Sequence, residues 1–154
     1  QNLYEHSTRV PFIVAGPDIP KDRKVSAPIY LQDIMPSSLS LAGSPIPKHV
    51  EFHDMLPLAK GKLSQSRYPE IYGAYLDAQR SITVGNEKLM VYPDIPVIRV
   101  YDLFRDPLEM NDLAKTIRGK KIASKLLQRL IKLQKKMGDS LDLGIISKEL
   151  DLKF

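Results

Sequence analysis

The 154-residue sequence contains no cysteine and no tryptophan. Without cysteine there can be no disulfide, thiolate metal centre, iron–sulfur cluster or cysteine nucleophile. No apolar run approaches the roughly 18–20 residues needed to span a bilayer, so no transmembrane helix is expected. The chain opens on Gln1, with neither an initiator Met nor a charged-then-apolar leader, so no signal peptide is read. Gly-x-Ser-x-Gly, Walker and Gly-x-Gly-x-x-Gly patterns are also missing, which removes the common nucleophile-elbow and phosphate-loop chemistries. Carboxylates are plentiful, but no sequence spacing sets two of them across a cleft. On motifs alone the chain does not read as a self-sufficient enzyme.

Acid is absent from one segment in particular. Nine cations and no carboxylate lie between Lys115 and Lys136, and they outweigh the formal net charge of +5 for the whole chain. The remainder carries 14 basic against 18 acidic residues, so the basic character belongs to one segment and not to the surface at large. At 100° per residue that segment places Ile122, Leu126, Leu130, Leu133 and Met137 on one side and Lys121, Lys125, Arg129, Lys132, Lys135 and Lys136 on the other. A surface helix docked by its apolar face, with lysine stems shielding the margins, accounts for this pattern. The same basic face also suits an anionic polymer or an anionic membrane. No aromatic residue falls between Leu113 and Met137, and this argues against nucleic acid.

The hydrophobic content of 43 % is enough for a core in a chain of this length. Val10-Pro-Phe-Ile-Val-Ala15, ended by Gly16-Pro17, reads as a buried strand, and Asp18–Pro28 as a loop. A helix is expected from about Asp33, the candidate cap, to Ala42, with Pro36 in its first turn and Gly43 as its stop. Residues 44–69 are rich in proline and read as loop. Four β-like runs follow, Ile71–Leu76, Ser81–Val84, Lys88–Tyr92 and Val97–Tyr101, with turns at Gly85-Asn86 and Pro93-Asp94. They predict a small antiparallel sheet with the basic helix, 113–137, on its open face. Asn111 or Asp112 is the expected cap of that helix, and Asp102 a brace for the connection before it. Glu5 and Arg9, four apart, are an expected ion pair. His49 and His53 share that spacing beside Glu51 and Asp54, which on a helix makes a metal face; the flanking prolines favour loop histidines instead.

Three stretches, in order, resemble one family. Gln1-Asn-Leu-Tyr-Glu-His-Ser-Thr-Arg-Val-Pro-Phe-Ile-Val-Ala-Gly-Pro17 is similar to the stretch that follows the active-site Gly-Lys of formylglycine-dependent sulfatases. Leu31-Gln-Asp-Ile-Met-Pro-Ser-Ser-Leu-Ser-Leu-Ala-Gly43 resembles their next helix. Lys88-Leu-Met-Val-Tyr92, followed by Arg99-Val-Tyr-Asp-Leu-Phe-Arg-Asp-Pro-Leu-Glu-Met-Asn-Asp-Leu-Ala114, resembles their C-terminal signature. The resemblance covers roughly residues 1–137. Two positions depart from the family pattern: Thr83 stands where a second Arg is frequent, and Glu87 where Tyr is usual before the lysine of the strand.

The resemblance implies an α/β fold of the alkaline-phosphatase-like sulfatase type, present in part. Residues 1–58 would form the end of the large α/β domain, 59–137 the antiparallel subdomain and 138–154 a tail. It implies hydrolysis of sulfate esters, on a sulfated sugar or aryl sulfate, by the complete family, where a formylglycine hydrate attacks sulfur while calcium and cations hold the oxygens. The Cys/Ser-x-Pro-x-Arg source of formylglycine is not here, since the only Ser-x-Pro, Ser26-Ala-Pro28-Ile-Tyr30, lacks the arginine. The calcium ligands belong upstream, and the sulfate-binding lysine would fall immediately before Gln1. No catalytic residue, metal ligand or cofactor is therefore assigned to this chain, which is expected to be inactive alone. The resemblance gives it a pocket wall with substrate contacts at Gln1, Asn2, Glu5, His6, Gln79 and Arg80. Expected partners are the missing N-terminal sulfatase portion or a second copy, and a sulfated small molecule or glycan, with no nucleic acid and no membrane. Val10–Val14 and Leu39–Leu41 are expected to leave apolar area exposed. A periplasmic or secreted location is what the family implies. The alternative is a non-catalytic protein that holds an anionic polymer on its basic helix.

Overall fold

Four short strands, β1 (Ile71–Tyr75), β2 (Gln79–Val84), β3 (Glu87–Tyr92) and β4 (Val97–Asp102), pair in sequence order as an antiparallel meander in the computed structural model, which describes residues 2–144 and 146. Each lies within two residues of its expected bounds. The β2–β3 hairpin closes on Gly85-Asn86 with Val84 opposite Glu87, and Gly85 has a positive φ of 58°. A glycine first in a two-residue turn supplies the backbone twist that the paired strands require. On one sheet face the alternation of β2, β3 and β4 places Ile82, Leu89, Val91, Ile98 and Val100. The opposite face carries Met90 and Tyr101.

The helix α4 (Ile117–Lys136) covers the first of these faces with Ile122, Ala123, Leu126, Leu127 and Leu130, all buried. Each large side chain so buried contributes about 1.5–3 kcal/mol gross. The helix starts four residues later than expected. Thr116 caps it, its hydroxyl accepting from Gly119 N at 2.9 Å. Asp112, one of the expected caps, is instead committed to the preceding connection: its carboxylate accepts from Val100 N, Ala114 N and Arg99. Gly119 is required there, because a Cβ would overlap the Leu113 carbonyl. Part of the expected tail joins this core, with Leu143 and Ile146 buried against it; Ile145 and residues 147–154 lie outside the described residues.

The chain forms two compact units: residues up to Val10 with those from Glu70 onward, and Pro11–Pro69. These cuts fall at 10/11 and 69/70, whereas the sequence placed a boundary at 58/59. In the second unit a 3₁₀ turn (Leu31–Asp33) leads into α2 (Ile34–Leu41), and α3 (Leu56–Ala59) is a single turn inside the expected loop. Asp33 does not cap α2 with its side chain. It is buried and accepts from Tyr30 N, His53 N and the Tyr68 hydroxyl. Ser37 completes this polar staple, donating to Asp33 O at 2.6 Å and accepting from Met55 N at 2.9 Å.

Val10–Ala15 is the clear correction. No strand forms, and Ile13 is 90 % exposed. A β-rich composition makes a strand only where another strand supplies its ladder, and no strand occurs among the described residues of the second unit. The expected exposed apolar area is present at Val10, Phe12, Ile13 and, at the end of α2, Leu41.

Candidate functional site

The open face of the sheet is closed by the chain's first residues. Leu3 is buried beside Met90 and Tyr101, and its backbone N–H donates to Gln79 Oε1 at 3.1 Å. Gly73 makes room for it, since a Cβ there would run into the Ser81 hydroxyl and press on Leu3. A single helical turn, α1 (Glu5–Thr8), follows. The Tyr4 ring stacks on His6 at 5.8 Å and meets Tyr101 at 5.9 Å. Its hydroxyl faces that of Tyr92 at 3.5 Å. Burial, with the bond to Tyr4, pushes the Tyr92 phenol well above its ordinary pKa, so it stays protonated.

The turn is held by an ionic cluster. Lys88, 2 % exposed at its side chain, places its ammonium 2.8 Å from Glu5 Oε1 and 2.9 Å from Glu109 Oε1. Glu109 is 1 % exposed at its side chain, and its second oxygen accepts from Glu5 N at 2.5 Å. Glu109 Oε1 accepts no well-directed hydrogen bond, so it depends on the ammonium beside it. One lysine thus compensates two carboxylates that would be costly to bury alone. Glu109 is also held at a positive φ of 55°, a conformation sparsely populated by residues other than glycine. The expected Glu5–Arg9 pair is thereby corrected: Glu5 points at Lys88, 83 residues away in sequence.

The six expected pocket residues fall into distinct places. Gln1 lies outside the described residues. Asn2 and His6 come together at 3.3 Å, and Asn2 Oδ1 accepts from Tyr4 N and the Ser7 hydroxyl. Their polar atoms form a small exposed donor and acceptor group. Glu5 and Gln79 serve to hold this segment, through Lys88 and Leu3 N. Arg80 is set apart on the helix-covered face. Its Nε lies 2.5 Å from Asp139 Oδ2, and its Nη1 donates to Leu76 O and Gln79 O. The Tyr72 hydroxyl donates to the same Asp139 oxygen. The Arg80 guanidinium holds the Asp139 carboxyl well below the usual range, helped by Tyr72 and Leu141 N. Arg80 is therefore a structural clamp between β2 and the segment after α4. Sequence alternation carried this signal, since Arg80 shares its face with Ile82 and Gln79 with Ser81.

Lys88 and Glu109 were missed as site residues. Both sit inside stretches that resemble the sulfatase signature, but the only local signal was a lysine opening the apolar run Lys88-Leu-Met-Val91. His49 and His53 build no metal centre, because no group of three or more His, Asp or Glu suited to a metal exists among the described residues.

The N-sulphoglucosamine sulphohydrolase C-terminal family model matches residues 1–136. Arylsulfatase K of Canis lupus familiaris is 30 % identical over 126 residues, which cover 73 % of this chain and 24 % of the relative. The Delta 4,5-hexuronate-2-O-sulfatase of Bacteroides thetaiotaomicron is 26 % identical over 131 residues, covering 79 % of this chain and 27 % of the relative. A crystal structure described as a putative sulfatase from the same bacterium superposes with a TM-score of 0.77 at 23 % identity, covering 94 % of this chain and 35 % of that one. A sheet of this topology, packed by its last helix and closed by this N-terminal turn, is the C-terminal portion of an alkaline-phosphatase-like α/β fold. The chain belongs to the N-sulphoglucosamine sulphohydrolase C-terminal family of sulfatases. It spans about a quarter of the length of the curated relatives it matches.

Proposed function

We propose that this chain is the substrate-side C-terminal portion of a sulfuric ester hydrolase acting on a sulfated sugar or aryl sulfate, and that it does not turn over alone. The observation that carries the reading is the Asn2–His6 pair, exposed and polar, on a turn fixed to the sheet by the Glu5–Lys88–Glu109 cluster. Such a mount is what a pocket wall needs, because a contact group must be held by packing and charge rather than by its own loop. His6 and Asn2 would hydrogen-bond sulfate or hydroxyl oxygens of the substrate. The names of the relatives, which include a hexuronate 2-O-sulfatase and a 2-O GAG sulfatase, support the sulfated-sugar class.

In the family, attack on sulfur uses formylglycine and calcium; the sequence carries no Cys/Ser-x-Pro-x-Arg, and no group of three or more His, Asp or Glu suited to a metal occurs among the described residues. Both would come from the remaining sulfatase polypeptide. The apolar residues exposed in the second unit, among them Phe12, Ile13, Leu31, Met35 and Leu41, fit a surface that meets that polypeptide or, in its absence, a second copy. No helix among the described residues is long and apolar enough to cross a membrane, and a periplasmic or secreted location fits the family.

Sulfate release from an aryl sulfate tests this directly. The 154-residue chain is expected to release sulfate at the buffer rate, and the same chain joined to a complementary sulfatase N-terminal portion to turn over. In the joined protein His6→Ala should raise KM with the melting temperature unchanged. Turnover by the isolated chain would contradict the proposal.

A further inference from the structure

We infer that the outward side of α4 is a docking strip for a linear sulfated polysaccharide, on the sheet face opposite the Asn2–His6 pair. Lys121, Lys125, Gln128, Lys132 and Lys135 recur at alternating steps of four and three, so they line up along one side of the helix over about 21 Å. All five are exposed, while the other side of the helix is buried on the sheet. The strip is therefore straight, rigidly backed and turned to solvent.

The charges on α4 divide into two sets. Along the sheet margin, Arg118 reaches Asp102 at 2.6 Å and Arg129 reaches Glu70 at 2.7 Å. Lys125 sits 3.5 Å from Glu87 and remains 60 % exposed at its side chain. Lys121, Lys132 and Lys135 have no acidic partner within ion-pair distance among the described residues. They also repel their neighbours, since Lys121 and Lys125 are four apart, as are Lys132 and Lys136, and like charges at that spacing destabilise a helix. A helix intended only for solubility would carry mixed signs. A self-repelling row gains stability from a multivalent anion laid along it.

The form of the strip selects the polymer. Its apolar side is committed to the core, so α4 cannot insert into a bilayer as an amphipathic helix. The strip has no aromatic side chain on which a base would stack, and the two arginines of α4, Arg118 and Arg129, lie off the strip, paired with Asp102 and Glu70. Point charges in a single file match a chain with regularly repeated sulfates. The choice of a sulfated glycan rests on the substrate class proposed above, whereas the strip itself does not.

Binding to immobilised heparin at increasing NaCl tests the inference on the full chain and needs no turnover, so it can fail independently of the sulfatase reading. Three proteins are compared: the unaltered chain, Lys121→Ser/Lys132→Ser/Lys135→Ser, and Lys21→Ser/Lys24→Ser/Lys62→Ser, which removes the same charge from the second unit. The strip variant should bind roughly tenfold or more weakly, with the slope of log affinity against log salt reduced by about 2–3, one counterion per lost contact. The second-unit variant should stay within about threefold, since Lys21, Lys24 and Lys62 are not part of the strip and the same net charge is removed. Replacing the same three strip lysines with arginine should preserve binding. Equal losses in both serine variants would reduce the effect to net charge and overturn the inference. So would absence of heparin binding at low salt, or equally tight binding of duplex DNA or phosphatidylserine vesicles through the same lysines.

Discussion

The two faces of the sheet are closed by different physics. On the helix side, α4 and the segment after it bury a continuous aliphatic layer, joined by the Arg80–Asp139 clamp and by ion pairs at its margins. On the other side a short N-terminal stretch contributes Leu3 and then depends on a lysine shared between two carboxylates. The aliphatic layer is non-directional and loses stability by degrees when trimmed. The ionic mount is directional: it fixes where one turn sits, and loses that when any member is removed. The proposed pocket wall uses both, one face for stability and the other to hold the Asn2–His6 turn in place.

The largest effect should come from breaking the ionic mount. Lys88→Ala strands Glu5 and Glu109 without compensation and is expected to cost about 3–5 kcal/mol, the range for an orphaned buried charge. Urea denaturation gives the value, and amide exchange should show residues 2–8 losing protection while β2 and β3 keep theirs. Leu126→Ala, in the aliphatic layer, should cost about 2–5 kcal/mol with the opposite pattern, global destabilisation and an N-terminal turn still docked. A Leu126 variant that releases the turn first would erase the distinction between the faces.

Smaller effects sharpen it. Thr116→Ala removes the helix cap and should cost about 1 kcal/mol. The Arg80–Asp139 clamp makes the helix face acid-sensitive. Because the folded Asp139 carboxyl is held below its ordinary value, its contribution is complete above the usual carboxylate range and is lost as pH falls through and below it. Urea midpoints at pH 6 and pH 3 should therefore diverge less for Asp139→Asn than for the unaltered chain. Equal divergence would remove the clamp from the acid response. Least of all, Lys125→Ala should change stability by no more than about 0.5 kcal/mol, because its pair with Glu87 is long and exposed.

Much of the helix face was legible because it is periodic. The 3.6-residue repeat of α4 and the alternation of β2 to β4 report burial directly. The start of α4 was not legible, since Asn111, Asp112 and Thr116 are all good caps and only the fold commits Asp112 to Val100 and Ala114. The ionic face was scarcely legible at all. Glu5 has an attractive partner four residues on, yet its real one lies on β3, and no local spacing encodes a contact across 83 residues. Val10–Ala15 has a strand's composition, but all of it after Val10 lies in a unit with no strand among its described residues. The family resemblance grouped Arg80 with Asn2 and His6, and their separation required the strand register.

The measurement that reaches the central claim is hydrogen exchange at the Glu5 amide, which donates to Glu109 beside the shared lysine. In the unaltered chain this amide should be protected although it lies in a four-residue helix that could not protect it alone. In Lys88→Ala it should exchange orders of magnitude faster, while Leu89 and Val91 remain slow. A Glu5 amide that exchanges at the free-peptide rate in the unaltered chain, or is unaffected by Lys88→Ala, would show that the ionic cluster does not hold the turn that carries Asn2 and His6.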